Sequence, residues 1–147
     1  MVFYTEMKEL QNTLQSHGHE VLIPLLDDEL PPEFGGGRAL AFGAYIEKNG
    51  GIDNFTQGDK IWDFKAAAIN NHFEKVEWCE AVVVVNHEKG GVEGYIGGNT
   101  LMEMALAFYL KKPIYMLNEI SSELLYKQEV MGMKPIFLQG DVSRIID

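Results

Sequence analysis

One carboxylate, Glu103, stands in a stretch from Gly94 to Leu110 that holds no other fully charged side chain. After the glycines comes Thr100-Leu-Met-Glu103, and then an apolar run of helical type. Burying a carboxylate costs free energy unless it is hydrogen-bonded, paired or placed near the positive N-terminus of a helix. The sequence therefore predicts an ionised carboxylate in the first turn of an apolar helix. A carboxylate nucleophile in a partly dry site requires this placement.

The same residues also fit a purely structural interpretation, the capping box. In that motif the Thr100 hydroxyl bonds an amide of the first turn, and the Glu103 side chain reaches back to the amide of the capping residue. Gly97 and Gly98, just before Asn99, favour a ligand site, because glycine lets a ligand approach the backbone amides closely. They also suit a plain turn, so both interpretations stay open at this point.

Composition limits the classes of protein to which the chain could belong. Its 147 residues, 46% of them hydrophobic, predict a single domain over 1–147 with a substantial core. The formal net charge of −10 disfavours nucleic acid and anionic membranes as partners. No apolar stretch approaches the roughly 20 residues that span a bilayer, so a cytoplasmic protein is expected. Cys79 is alone, so neither an internal disulfide nor a Cys-based metal site is expected.

Helical and strand-like patterns alternate along the chain. Apolar residues at helical spacing predict helices over 3–17, weakly over 38–48, and from about 59 to 76 with a possible bend at Asn70-Asn71. Short apolar runs predict strands at 20–24, 81–85, 113–117 and 135–138. The acidic, Pro- and Gly-rich segment 27–37 is expected to be a loop, with closure over a ligand as one option. This alternation predicts an α/β fold with an open, mainly parallel sheet and helices on both faces.

Ligands of open α/β sheets bind beyond the carboxyl ends of the strands. Here the loops at those ends are 86–99 and 118–123, so the site is expected to be built from both of them. They contain Asn86, Asn118 and Tyr95. Tyr95, like Tyr4 at the start of the chain, could stack on a ring of a ligand or pack at the margin of the core. Neither a Walker A motif nor G-x-G-x-x-G is present. A nucleoside triphosphatase or a Rossmann dehydrogenase is therefore not indicated.

Four features together resemble the nucleoside 2-deoxyribosyltransferase family and its N-glycosidase relatives. They are the strand at 81–85, the Gly-rich loop, the Thr100-x-x-Glu103 helix start and the strand that begins Lys112-Pro113-Ile-Tyr. The resemblance covers roughly residues 1–138 and is most specific over 78–118. It implies a flavodoxin-like sheet and a glutamate, here Glu103, that attacks the anomeric carbon of a deoxyribose. It also implies that Asn118 stands near the sugar.

The chain departs from this family at two positions that matter for the base. The family has an Asp six residues before the Glu, where this chain has Gly97, and a second family Asp falls on His72. Both changes remove groups that bind or protonate the nucleobase. His72 could replace them as an acid at neutral pH, and an ordinary, partly exposed helix histidine is the alternative.

The function expected from the resemblance is cleavage of an N-glycosidic bond, or transfer of a deoxyribosyl group, with Glu103 as the nucleophile. The resemblance implies that this reaction needs no metal or redox cofactor. The expected ligand is a small-molecule nucleoside or nucleotide. The alternative is a non-catalytic nucleotide-binding module in which Glu103 accepts hydrogen bonds from a ribose or caps its helix. A homodimer or larger homo-oligomer is expected. The candidate substrate-binding residues are Gly97, Gly98, Asn99, Thr100, Asn118, Asn86, Tyr95 and His72.

The resemblance also implies a strand ahead of the first helix, at the centre of the sheet. Residues 1–7 already have the pattern of that helix, so the fold is expected to lack its usual first strand. An unfilled position in the middle of a sheet would leave buried amides without partners. The expectation is that the reading frame starts upstream of Met1, or that Val2 to Tyr4 or a strand of another subunit fills the position.

Overall fold

The computed structural model describes residues 3–24 and 42–145. In this part of the chain the helices are α1 (Tyr4–Ser16), α2 (Phe42–Lys48), α3 (Ile61–Trp78), α4 (Gly98–Tyr109) and α5 (Lys127–Gly132). The strands are β1 (Val82–Val84), β2 (Ile114–Met116) and β3 (Ile136–Phe137), and short 3₁₀ turns lie at Ile52–Asn54 and Val142–Arg144. The predicted loop 27–37, residues 38–41 of the predicted weak helix, and Val2 lie outside the described residues.

The three strands form one parallel sheet in chain order. Tyr115 in the middle strand is in register with Val83 on one side and Ile136 on the other. Parallel neighbours need a crossover connection, and α4 and α5 supply the helices of the two crossovers. The open parallel α/β sheet with helices that the sequence predicts is therefore confirmed.

The N-terminal side of the sheet differs from the prediction. β1 pairs with β2 only, and among residues 3–24 and 42–145 no strand lies on its other side. The predicted strand at 20–24 is wrong, since this segment is irregular, Leu22 is half-exposed and the Val21 carbonyl accepts a hydrogen bond from the Gln11 side chain. A strand reaching Tyr4 is also wrong, because Tyr4 is the first residue of α1.

The core lies between α4 and the sheet. Met104 and Ala107 on the inner face of α4 are fully buried, as are Met116 of β2 and Val130 of α5. Each of the buried Met and Val side chains contributes roughly 1.5–3 kcal/mol when it is removed from water. A second apolar cluster, around Ile46 and Ile61, joins the first turn of α3 to α2 and adds the aromatic rings of Phe42, Tyr45, Phe55 and Trp62.

Helix α3 packs along α4 and determines which side chains can meet across that interface. It runs without a break through Asn70-Asn71, so the predicted bend is absent. Its C-terminal end is secured by Lys112, whose ammonium donates to the carbonyls of Glu77 and Cys79. Among the described helices, none is both long and apolar enough to cross a membrane.

Candidate active site between two helices

Helix α4 begins earlier than the sequence pattern predicts. Its N-cap is Gly97, in extended conformation (φ −79°, ψ 160°) and without a side-chain cap. The Leu101 amide donates the first helical hydrogen bond to the Gly97 carbonyl at 2.9 Å. Thr100 is therefore the third helical residue, and Glu103 lies in the second turn. The predicted capping box and the first-turn position of Glu103 are both wrong.

The residue before the cap explains this early start. Ile96 is buried, and its carbonyl accepts a hydrogen bond from the Tyr126 hydroxyl. These contacts anchor the chain immediately before Gly97, so the helix starts at the glycine pair. The favourable field of a helix terminus falls off within the first turn. Stabilisation of the Glu103 carboxylate must therefore come mainly from neighbouring side chains.

His72 on α3 is the direct partner of that carboxylate. Its Nδ1 lies 2.7 Å from Oε1 of Glu103, and the two side chains are 17% and 21% exposed. A carboxylate so held is partly shielded from water and still reachable by a ligand. In the described parts of the chain no other group hydrogen-bonds Glu103, which leaves Oε2 without a protein partner.

Lys65 completes the polar cluster at this interface. Its ammonium donates to Oδ1 of Asn99 at 3.0 Å and lies 5.1 Å from the centre of the Phe42 ring. Burial lowers the pKa of Lys65, and the negative charge of Glu103 opposes this shift in part. We call the four residues Lys65, His72, Asn99 and Glu103 the α3–α4 site.

Helix periodicity explains why the four residues meet. Lys65 and His72 are seven residues apart on α3, two turns along one face, and Asn99 and Glu103 are four apart on α4. Two contacts, Lys65 with Asn99 and His72 with Glu103, therefore cross the same helix interface. Lys65 was not among the residues predicted from the sequence. Its seven-residue spacing from His72 was the one feature that could have indicated a shared helix face.

A second polar group joins the carboxyl ends of β1 and β2. Asn86 is fully buried, and its amide binds the Asn118 backbone on both sides, with Nδ2 donating to the carbonyl at 2.8 Å and Oδ1 accepting from the N–H at 2.9 Å. The Asn118 side chain in turn donates to the Asn86 carbonyl at 3.2 Å. Because Asn86 is fully buried, a ligand in solution does not reach it, and its role is to hold Asn118 at the strand end.

The two loops that were expected to form the site touch at Gly94. A Cβ on Gly94 would lie 2.0 Å from the Glu119 carbonyl oxygen, and its φ of +63° is one that side chains rarely adopt. Next to it, the Ser121 amide donates to the Glu93 carbonyl at 3.2 Å. Glycine is thus required where loop 86–97 presses against loop 118–123.

Tyr95 lies beside the start of α4. Its Cε1 is 3.9 Å from the position that a Cβ on Gly97 would occupy, and the ammonium of Lys89 lies 4.8 Å from its ring centre. The Tyr95 amide donates to the His87 carbonyl at 3.0 Å. The ring is partly buried and lies next to Gly97, at the edge of the predicted substrate-binding segment.

The structure thus brings the predicted site residues into two groups. His72, Asn99 and Glu103 meet in the α3–α4 site, and Asn86 meets Asn118 at the strand ends. No hydrogen bond joins the two groups in the described parts of the chain. The remaining predicted residues, Gly97, Gly98, Thr100 and Tyr95, lie in or next to the first turn of α4.

The described residues hold no cluster of three or more His, Cys, Asp or Glu side chains that could bind a metal ion. Comparison of the chain with protein-family models, curated proteins and solved structures found no match.

Proposed function

We propose that the chain cleaves the N-glycosidic bond of a nucleoside or nucleotide, with Glu103 as the nucleophile. The observation that supports this most is the 2.7 Å contact between His72 Nδ1 and Glu103 Oε1 in a partly buried site. A carboxylate fixed through one oxygen presents the other in a constant direction, and such positioning is a large part of the rate enhancement in displacement at carbon. The proposal also draws on the family resemblance.

In the proposed reaction Oε2 of Glu103 attacks the anomeric carbon of the sugar while the base departs. The carboxylate and the sugar form a covalent ester, as in retaining glycosidases. Water or a second base then displaces Glu103, which gives hydrolysis or deoxyribosyl transfer. Asn118, held at the strand end by Asn86, is proposed to contact a sugar hydroxyl, and Tyr95 to stack on the base. A cytoplasmic location, where free nucleosides and nucleotides are metabolised, is part of the same proposal.

His72 has a different part in this scheme from the one the sequence suggested. Its Nδ1 faces the nucleophile, so the proton on that nitrogen orients Glu103 and does not reach the base on the other side of the scissile bond. We therefore assign His72 as a positioning residue. Protonation of the base has to come from elsewhere.

The direct test is Glu103→Gln, assayed for release of free base from a panel of deoxynucleosides and deoxynucleotides, with and without an acceptor base. Loss of a catalytic nucleophile lowers turnover by several orders of magnitude, and we expect a decrease of this size. The matched control is Glu74→Gln, which neutralises an exposed carboxylate on α3 and should retain full activity. Release of free base by Glu103→Gln at the wild-type rate would show that Glu103 is not the nucleophile.

The alternative, a nucleotide-binding module, predicts a different pair of results. The wild-type chain would release no base from any compound, yet a nucleoside or nucleotide would raise its melting temperature. Glu103→Gln would then weaken that stabilisation, because a carboxylate accepts hydrogen bonds from ribose hydroxyls more strongly than an amide does.

A further inference from the structure

The proposed reaction requires a proton donor for the departing base. His72 does not meet the requirement, because its Nδ1 is bound to the nucleophile. Lys65 is the other proton-bearing side chain of the α3–α4 site, and it lies on the same face of α3. It is held in place, since its ammonium donates to Asn99 and packs over the Phe42 ring.

Lys65 and Glu103 face each other across the interface of α3 and α4, each held by a different partner. The Lys65 ammonium is bound to Asn99, which lies one helical turn before Glu103 on the same face of α4. The ammonium and the carboxylate form no ion pair within 4.0 Å. The two groups therefore share one site without neutralising each other, as an acid and a nucleophile that act on the same bond must do.

We propose that Lys65 is the general acid that protonates the departing base. This assignment rests on the proposed function of Glu103. As Oε2 of Glu103 bonds to the anomeric carbon, the bond from that carbon to the base breaks and its electron pair goes to the base. The Lys65 ammonium gives a proton to the base and becomes a neutral amine. In the second half, the oxygen of water bonds to the anomeric carbon, and the bond from that carbon to Oε2 breaks with its electron pair going to the carboxylate. The Lys65 amine takes a proton from this water and becomes an ammonium again.

The electrostatics of the site support this exchange of a proton. Burial lowers the pKa of Lys65, which brings the ammonium closer to the range in which an acid releases its proton at working pH. The negative charge of Glu103 opposes this lowering of the pKa and so favours the ammonium form. When Glu103 becomes an ester, its charge is lost, so the ammonium becomes more acidic at the moment when the base leaves.

The test compares two substrates that differ in their need for an acid. The base of 2′-deoxyguanosine needs a proton to depart, whereas 7-methyl-2′-deoxyguanosine carries a positive charge and releases a neutral base without one. General acid catalysis contributes typically 10²–10⁴-fold. Lys65→Met should therefore lower kcat about 100-fold or more on the unmethylated compound and less than about 10-fold on the methylated one. The control Lys75→Met, on the same helix, should lower neither.

Lys65→Arg separates an acid from a fixed positive charge. A guanidinium keeps the charge but does not give up its proton in proteins, so this variant should be as poor as Lys65→Met on 2′-deoxyguanosine. Recovery of activity in Lys65→Arg, or an equal decrease of kcat on both substrates in Lys65→Met, would show that Lys65 is not the general acid. No release of base by the wild-type chain from any compound of the panel, or full activity in Glu103→Gln, would instead defeat the proposed function itself.

Discussion

The Glu103 carboxylate is held by a hydrogen bond from a neighbouring helix and not by the N-terminus of its own helix. The carboxylate lies beyond the first turn of α4, where the helix field is weak, and His72 reaches it from the neighbouring helix. Sequence reasoning identified both residues, but it placed Glu103 in the first turn of its helix and His72 beside the base, and it did not predict the contact between them. A pattern within one helix cannot show which side chain of another helix will face it, and for the same reason Lys65 was missed.

Replacement of His72 tests whether this residue positions the Glu103 carboxylate. We expect His72→Ala to lower kcat roughly 10²-fold with little change in KM, because a misplaced nucleophile loses about this much. His72→Gln, whose amide can still donate to the carboxylate, should recover part of the loss. Steady-state kinetics of both variants measure the effect. Full activity in His72→Ala would show that the contact with Glu103 has no role in turnover.

At the scale of elements, the sequence predicts well what depends on local pattern. Helices α1, α3 and α4, the end of α2 and the three later strands lie within a few residues of their predicted places, because apolar periodicity determines them, whereas the bounds of α5 were not predicted. The segment 20–24 has a strand-like composition but pairs with no strand among residues 3–24 and 42–145, and the Gln11 side chain of α1 donates to the Val21 carbonyl. The start of α4 was misplaced because burial of Ile96 and its bond to Tyr126, both tertiary contacts, determine it.

Gly94 provides a test of the contact between the two site loops. Gly94→Ala would place a methyl group 2.0 Å from the Glu119 oxygen, and the loops would have to separate. The control is Gly90→Ala, since Gly90 has nearly the same φ, +62°, and no described atom within 4 Å of its Cβ position.

Both substitutions incur the backbone penalty of about 1–2 kcal/mol for a side chain at positive φ. Gly94→Ala should lower the free energy of unfolding by clearly more, and it should also reduce catalysis. Urea denaturation of the two variants gives the comparison. Equal destabilisation would mean that the loops do not press together at this point.

At the scale of the whole molecule, charge and exposed apolar surface are unevenly distributed. The chain carries a net charge of −10, yet every exposed residue of α4 is uncharged. Met102, Phe108 and Tyr109 on this face are 37%, 51% and 79% exposed. Two copies of an acidic chain repel each other least where neither has charges. We therefore propose that the outer face of α4 pairs with the same face of a second copy.

Light scattering tests this pairing. The wild-type chain should give a mass of at least twice 16.6 kDa, and Phe108→Glu should reduce it to 16.6 kDa, because a charge would be buried opposite its own symmetry mate. Leu125→Glu is the control, since Leu125 is 98% exposed and lies outside α4. A wild-type mass of 16.6 kDa at assay concentration would contradict the pairing.

The central claim is that Glu103 becomes covalently bonded to a sugar. The most direct measurement is mass spectrometry of the chain, denatured with acid during turnover of a deoxynucleoside and then digested. We predict that the peptide containing Glu103 gains the mass of one deoxyribosyl group, and that Glu103→Gln shows no such gain. Release of base by the wild-type chain with no labelled peptide, together with equal release by Glu103→Gln, would contradict the account.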